Sequence, residues 1–181
     1  MVMYLLLATP DLFASVEGGI PPEMQARMTR ADSLIQAKKH EAGIRAYRDI
    51  GMRFAQEYRD FASGIAYMDQ VASSFEFNLQ DSAQVHAAGD FWLTNGFMKS
   101  LTGMFVSSRI AYENALSYFQ KIDYQSPDLA GNLYGQLGSI YPRIGEYEKA
   151  SRLLLIGLEM VNEDVAEKAN LQIELAIVYR D

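Results

Sequence analysis

No cysteine occurs among the 181 residues, which excludes disulfides, thiolate metal sites and a cysteine nucleophile. Histidine is almost as scarce: only His40 and His86 are present, too few for a zinc site without help from carboxylates. His86 stands four residues before Asp90, which on a helix is half a metal site with no third ligand in view, so a structural histidine is the expectation. There is no G-x-x-x-x-G-K-[ST] phosphate loop, no G-x-G-x-x-G turn and no G-x-S-x-G nucleophile elbow. Nor does any stretch reach the ~18 to 20 apolar residues of a membrane span. Beyond the first residues, the alternating apolar and polar pattern of strands is missing as well.

What is present describes a folded chain: 49% of residues are hydrophobic and 22% are charged. The net charge of -7 argues against a broad nucleic-acid footprint. That charge is unevenly placed. Residues 24 to 60 carry eight Lys/Arg against five Asp/Glu, whereas residues 61 to 181 carry eight against fifteen. The opening stretch, MVMYLLLATPDLFAS, holds a short apolar run without the basic residues that precede a signal sequence. Two alternatives stand for residues 1 to 23: the remnant of a signal peptide, which would place the protein outside the cytoplasm, or a structural N-terminal segment.

From residue 24 onward apolar residues recur at intervals of three and four, as at Ile44, Tyr47, Ile50 and Phe54, which predicts helices of about 12 to 16 residues joined by short turns. Breaks are expected near Lys38 to Glu41, at Asn78, around Thr94-Asn95-Gly96, at DYQSPD, at Gly145 and at residues 162 to 164. Pro142, which would cost about 3 kcal/mol inside a helix, predicts an end or kink beside Tyr141.

The pattern repeats. Tyr134, Leu137, Gly138 and Tyr141 precede Ala150, and Leu154 and Gly157 follow it; Gly103 and Val106 stand in the same relation to Ala115, and Ala31 and Leu34 to Gly43. Leu175-Ala176-x-x-Tyr179 repeats Leu137-Gly138-x-x-Tyr141. On these residues the chain resembles the tetratricopeptide repeat family, with Tyr in place of Trp and Leu in place of Phe, and with Pro127 as a closing proline. The resemblance covers residues 24 to 57, 96 to 129, 131 to 164 and an incomplete unit at 169 to 181, with residues 58 to 95 as a degenerate hairpin.

It implies an all-α fold, a right-handed α-solenoid of stacked antiparallel helical hairpins, in which Gly138 and Ala150 sit where two helices come close. It also implies a function: a non-catalytic scaffold that binds a protein or peptide along its inner surface, with no cofactor, no metal and no direct nucleic-acid contact. The residues expected on that surface are Gln25, Met28 and Asp32, then Phe97, Ser100 and Met104, then Asn132, Gly135, Ser139 and Arg143. The Lys and Asn with which related proteins grip C-terminal carboxylates are replaced here by Met, Ser, Gly or Asp. Similar repeats also precede signalling modules, so a sensory or regulatory region of a larger protein is the alternative. Residues 165 to 181 read as apolar over a wide arc, from which the sequence predicts a further covering helix beyond Asp181 or self-association through that surface.

Overall fold

The computed structural model describes residues 20–74, 81–122, 130–161 and 165–180. All regular structure among them is helical: α1 (Pro22–Gln36), α2 (His40–Gln56), α3 (Phe61–Ser74), α4 (Ser82–Leu101) and α5 (Phe105–Lys121) come first. A π-helical turn, Ala130–Gly135, then runs into the short α6 (Gln136–Ile140), followed by a 3₁₀ turn (Pro142–Ile144), α7 (Tyr147–Met160) and α8 (Val165–Arg180). None of these helices is long and apolar enough to cross a membrane.

Local chemistry sets several boundaries. Asp81 caps α4, its carboxylate accepting the Gln84 N–H at 2.9 Å, and Asp60 accepts both the N–H and the hydroxyl of Ser63, at 2.9 and 2.6 Å, where α3 begins. As expected from Pro142, α6 stops at Ile140 and the proline opens the 3₁₀ turn, where its missing N–H costs nothing. The breaks expected near Lys38 and at Gly145 are present; those at Asn78, DYQSPD and residues 162 to 164 lie outside the described residues, as do residues 1 to 19.

Three hairpins, α1–α2, α4–α5 and α6–α7, are closed by the same turn. Lys38, Gly103 and Gly145 have φ values of 59°, 77° and 82°. In each case the next residue (Lys39, Met104, Glu146) donates its N–H five residues back, to the carbonyls of Leu34, Lys99 and Tyr141, each at 2.9 Å. This is the Schellman closure, which satisfies carbonyls that the end of a helix leaves open.

Aligning the hairpins on these turns corrects the repeat register read from the sequence. Seven residues before the left-handed residue stand Ala31, Gly96 and Gly138; five after it stand Gly43, Ser108 and Ala150, and all six are buried. The close pair of the second hairpin is therefore Gly96 with Ser108, whose hydroxyl donates to the Gly96 carbonyl at 2.8 Å, and not Gly103 with Ala115. Nor does the helix break around Thr94-Asn95-Gly96. It runs through them, and the unit expected to begin at residue 96 begins inside α4.

α4 also joins two cores. Phe91 and Met98 pack with Met24, Ile44, Phe54 and Met68 in the first, while Leu93 packs against the second, built on Tyr112, Phe119, Leu133, Leu137 and Leu154; Trp92 touches both. Between α4 and α3 a polar contact adds to this apolar packing. The 8% exposed Lys99 side chain places Nζ 2.7 Å from Asp69 Oδ1, and Asn95, fully buried, donates to the same oxygen at 2.9 Å. At the chain's other end, α8 buries Leu171 and Val178 and exposes Ile173, Ala176, Ile177 and Tyr179.

A Cβ added at Gly96 would lie 2.7 Å from the Tyr112 ring, whereas one at Gly103 meets nothing within 4 Å and is resisted only by its positive φ. Gly96→Ala is therefore expected to cost about 1–3 kcal/mol by overpacking. Gly103→Ala should cost about 1–2 kcal/mol through backbone strain, most of which Gly103→Asn restores. Urea unfolding of the three variants checks this, and equal losses for Ala and Asn at residue 103 would contradict the assigned turn.

The polar contact generates a second expectation. Asp69→Ala strands a buried ammonium and a buried amide and should cost about 2–3 kcal/mol, whereas Lys99→Met leaves a half-exposed carboxylate that water can solvate and should cost about 1 kcal/mol or less. Thermal unfolding that ranks the two variants in the opposite order would rule out this asymmetry.

Candidate functional site

With the hairpins aligned on their turns, the first helices of the second and third hairpins put equivalent residues on one side. Leu93, Thr94 and Phe97 stand ten, nine and six residues before Gly103; Gly135, Gln136 and Ser139 stand at the same distances before Gly145. The first trio, with Met52 of α2, Tyr112 of α5 and Gln136, lines a pocket of about 270 Å³. The second trio, with Glu167, Asn170, Leu171 and Glu174 of α8, lines a pocket of about 280 Å³. Gln136 belongs to both, so the two pockets meet at that residue, and together they are called the groove.

The groove changes character along its length. At the α4 end its walls are aliphatic and aromatic, with Phe97 41% exposed at the mouth. At the α8 end they are amide, hydroxyl and carboxylate groups. Gln136 divides the two and is held in place, because its Oε1 accepts the Tyr112 hydroxyl at 3.3 Å. Burial pushes that phenol up to about 12, with a smaller opposing pull from a hydrogen bond with Ser100. Tyr47, Tyr67 and Tyr141 are raised in the same direction and for the same leading cause.

Of the residues expected on the inner surface, Phe97 and Ser139 line this groove, together with Gly135. Met28 does not belong on any surface: at 5% exposure it forms the buried stripe of α1 with Met24 and Ala31. Asp32 is engaged within its own hairpin, accepting the Tyr47 hydroxyl at 2.8 Å, and burial raises its carboxyl above the ordinary range. Gln25 is exposed on α1, away from the groove lining, and its carbonyl accepts the Thr29 hydroxyl.

Ser100 donates to the Phe97 carbonyl at 2.8 Å, and Met104, 43% exposed, sits in the α4–α5 turn. Arg143 stacks its guanidinium 4.9 Å above the Phe105 ring, tying the α6–α7 turn to the start of α5. The side chain of Asn132 lies outside the described residues. Sequence reasoning missed Leu93, Thr94, Gln136 and Met52. The first three were within reach, since each occupies a repeated offset from a turn glycine.

His86 lies 3.3 Å from Asp90, whose carboxylate also faces Arg45 and Arg48 of α2 at 3.7 and 3.6 Å. Asp90 therefore clasps α4 to α2, and among the described residues no group of three or more potential metal ligands converges. Comparison of the chain with protein-family models, curated proteins and solved structures finds no match.

A raised tyrosine pKa stabilises the fold below the pKa of the unfolded chain, near 10, and that stability is lost as pH rises toward the folded value. For Tyr112 the loss falls between about pH 10 and about pH 12. Melting temperature should decline over this window, and less steeply in Tyr112→Phe than in the parent. Parallel declines, followed together with phenolate absorbance, would exclude Tyr112 as a contributor.

Proposed function

We propose that the protein is a non-catalytic binding scaffold of tetratricopeptide type, a right-handed solenoid of helical hairpins that takes up a segment of a protein partner along the inner faces of its first helices. The observation that carries this is the shared groove: equivalent residues of α4 and α6 line adjoining pockets, with Gln136 in both. Further support comes from the three identical hairpin turns and from the small residues at the closest approach of each helix pair. A surface of this kind binds by preorganisation. Each wall helix is fixed by its own hairpin, so the ordering cost of association falls mainly on the ligand.

The polarity of the groove describes the segment it suits, with an apolar or aromatic side chain at the Phe97 end and hydrogen-bond donors toward Ser139 and Glu174. Selection from a random peptide library on the intact chain provides the test. Selected peptides should bind with dissociation constants of about 1–100 μM, and Phe97→Ala and Gln136→Ala should each weaken them by about tenfold, a loss of about 1.4 kcal/mol. Variants at His86 should bind as the parent does. Peptides that bind Phe97→Ala and Gln136→Ala with unchanged affinity would overturn the assignment of this groove.

A further inference from the structure

The first hairpin carries a second groove. It lies between α1 and α2, encloses about 390 Å³, and is walled by Arg27 and Arg30 on one side and by Arg45 and Arg53 on the other. Its floor is aliphatic, made by Leu34, Ala46 and Ile50, and Asp49 is the one carboxylate in its lining. Arg45 is already engaged by Glu41 and Asp90, and Arg53 by Glu57. Arg27 and Arg30 are exposed and have no ion pair among the described residues.

The aligned turns show what this face does elsewhere in the molecule. Arg30 and Leu34 stand eight and four residues before Lys38; the equivalent residues are Asn95 and Lys99 in the second hairpin and Leu137 and Tyr141 in the third. Those residues are buried against the preceding helix. Asn95 and Lys99 bond Asp69 of α3, and Tyr141 donates its hydroxyl to Glu113 of α5 at 2.6 Å. The face is thus a seat for a helix in hairpins two and three. In the first hairpin the same seat is lined by arginines, and none of the described helices occupies it.

We infer that the α1–α2 groove is a docking site for an acidic amphipathic helix of a partner protein, its apolar stripe on the Leu34–Ala46–Ile50 floor and its carboxylates between the two arginine walls. Helical shape follows from the seat, two antiparallel helices presenting i, i+3, i+4, i+7 stripes to a third. Acidity follows from the walls, because a guanidinium binds a carboxylate through a paired, planar set of hydrogen bonds. The aliphatic floor favours a helix over a nucleic acid, whose phosphates would leave it unused, and the net charge of -7 would repel an extended polyanion beyond the groove.

The probe is a peptide of about 18 residues, roughly 27 Å of helix, with a Leu/Ala stripe flanked by Glu on both sides, titrated by fluorescence anisotropy into the full 181-residue chain. Saturable binding is expected, weakening at least about tenfold in Arg27→Gln/Arg30→Gln and again as salt rises from ~50 to ~300 mM. Both arginines are exposed, so the double variant should melt with the parent; Arg27→Lys/Arg30→Lys, which keeps the charge and removes the planar fork, should bind between the two. The inference is overturned if the Glu peptide fails to bind, if a Lys-flanked version binds equally well, or if the double Gln variant is not weakened. Equal binding by a peptide with Ser replacing the Leu/Ala stripe would reduce the site to bulk electrostatics, and tighter Arg27/Arg30-dependent binding of a DNA duplex would assign the groove to nucleic acid instead. Either result overturns it too.

Discussion

The structure depends on how closely the two helices of each of the three hairpins approach each other, seven residues before the left-handed residue of its turn. In the second hairpin the Tyr112 ring lies over Gly96, and in the third the Leu154 side chain lies over Gly138, each where a Cβ would overlap it. In the first hairpin the roles reverse: Ala31 is on the first helix, and Gly43, on the second, receives Ile35. One partner of each pair is small so that the other can be large. The crossing is then short-ranged and fixed, because close-packed side chains lose contact energy on separation and overlap on approach. From that fixed crossing follow the turn geometry, the burial of Tyr47, Tyr112 and Leu154 four residues beyond the small residue of the second helix, and the direction in which the first helix presents its outer residues.

α4 converts separate hairpins into one body. It is the longest of the described helices, and its length is what lets one end pack with α2 and α3 while its other side packs with α5. Apolar packing alone would leave its rotation against α3 loosely set. The shared oxygen of Asp69, bonded by both Asn95 and Lys99, sets it instead. Buried polar pairs contribute little net stability compared with apolar ones of the same size, but they penalise every arrangement that separates them. Here the penalty falls on a slip between α3 and α4, and so on the position of Phe97, two residues from Asn95 on the same helix and lining the groove.

The helical class, the first and third hairpins and the effect of Pro142 were legible in the sequence, since each rests on neighbours within a few turns. The second hairpin was read seven residues out of register. Seven residues are about two turns, so a slip of that size rotates a helix by only ~20° and leaves its apolar face where it was. Gly96 and Gly103 add to the ambiguity, as both are glycines, one required by a neighbouring ring and the other by a positive φ. The error explains what it spared: Phe97 lies on the groove side in either register, while Met104 moves from the helix into the turn. Thr94-Asn95-Gly96 resembled a helix break because the partner of Asn95 is 26 residues away. No local pattern reveals a distant carboxylate.

The two grooves differ in what a substitution can change. The walls across α4, α6 and α8 are set by backbone spacing between three helices, each held by its own hairpin or by packing against one, so their geometry is insensitive to the identity of exposed residues such as Phe97. Side chains there can vary without disturbing the frame, so the chemistry of the groove is separable from the packing that shapes it. Between α1 and α2 the opposite holds. The seat is the frame's own helix-packing face, and only the charge at Arg27 and Arg30 distinguishes it from the buried faces that Asn95 with Lys99 and Leu137 with Tyr141 form in the later hairpins. Apolar residues at those two positions would turn the seat into one more packing surface. Arginine keeps it solvated when empty, through long stems that cover the floor and heads that remain in water, and makes its occupation depend on carboxylates.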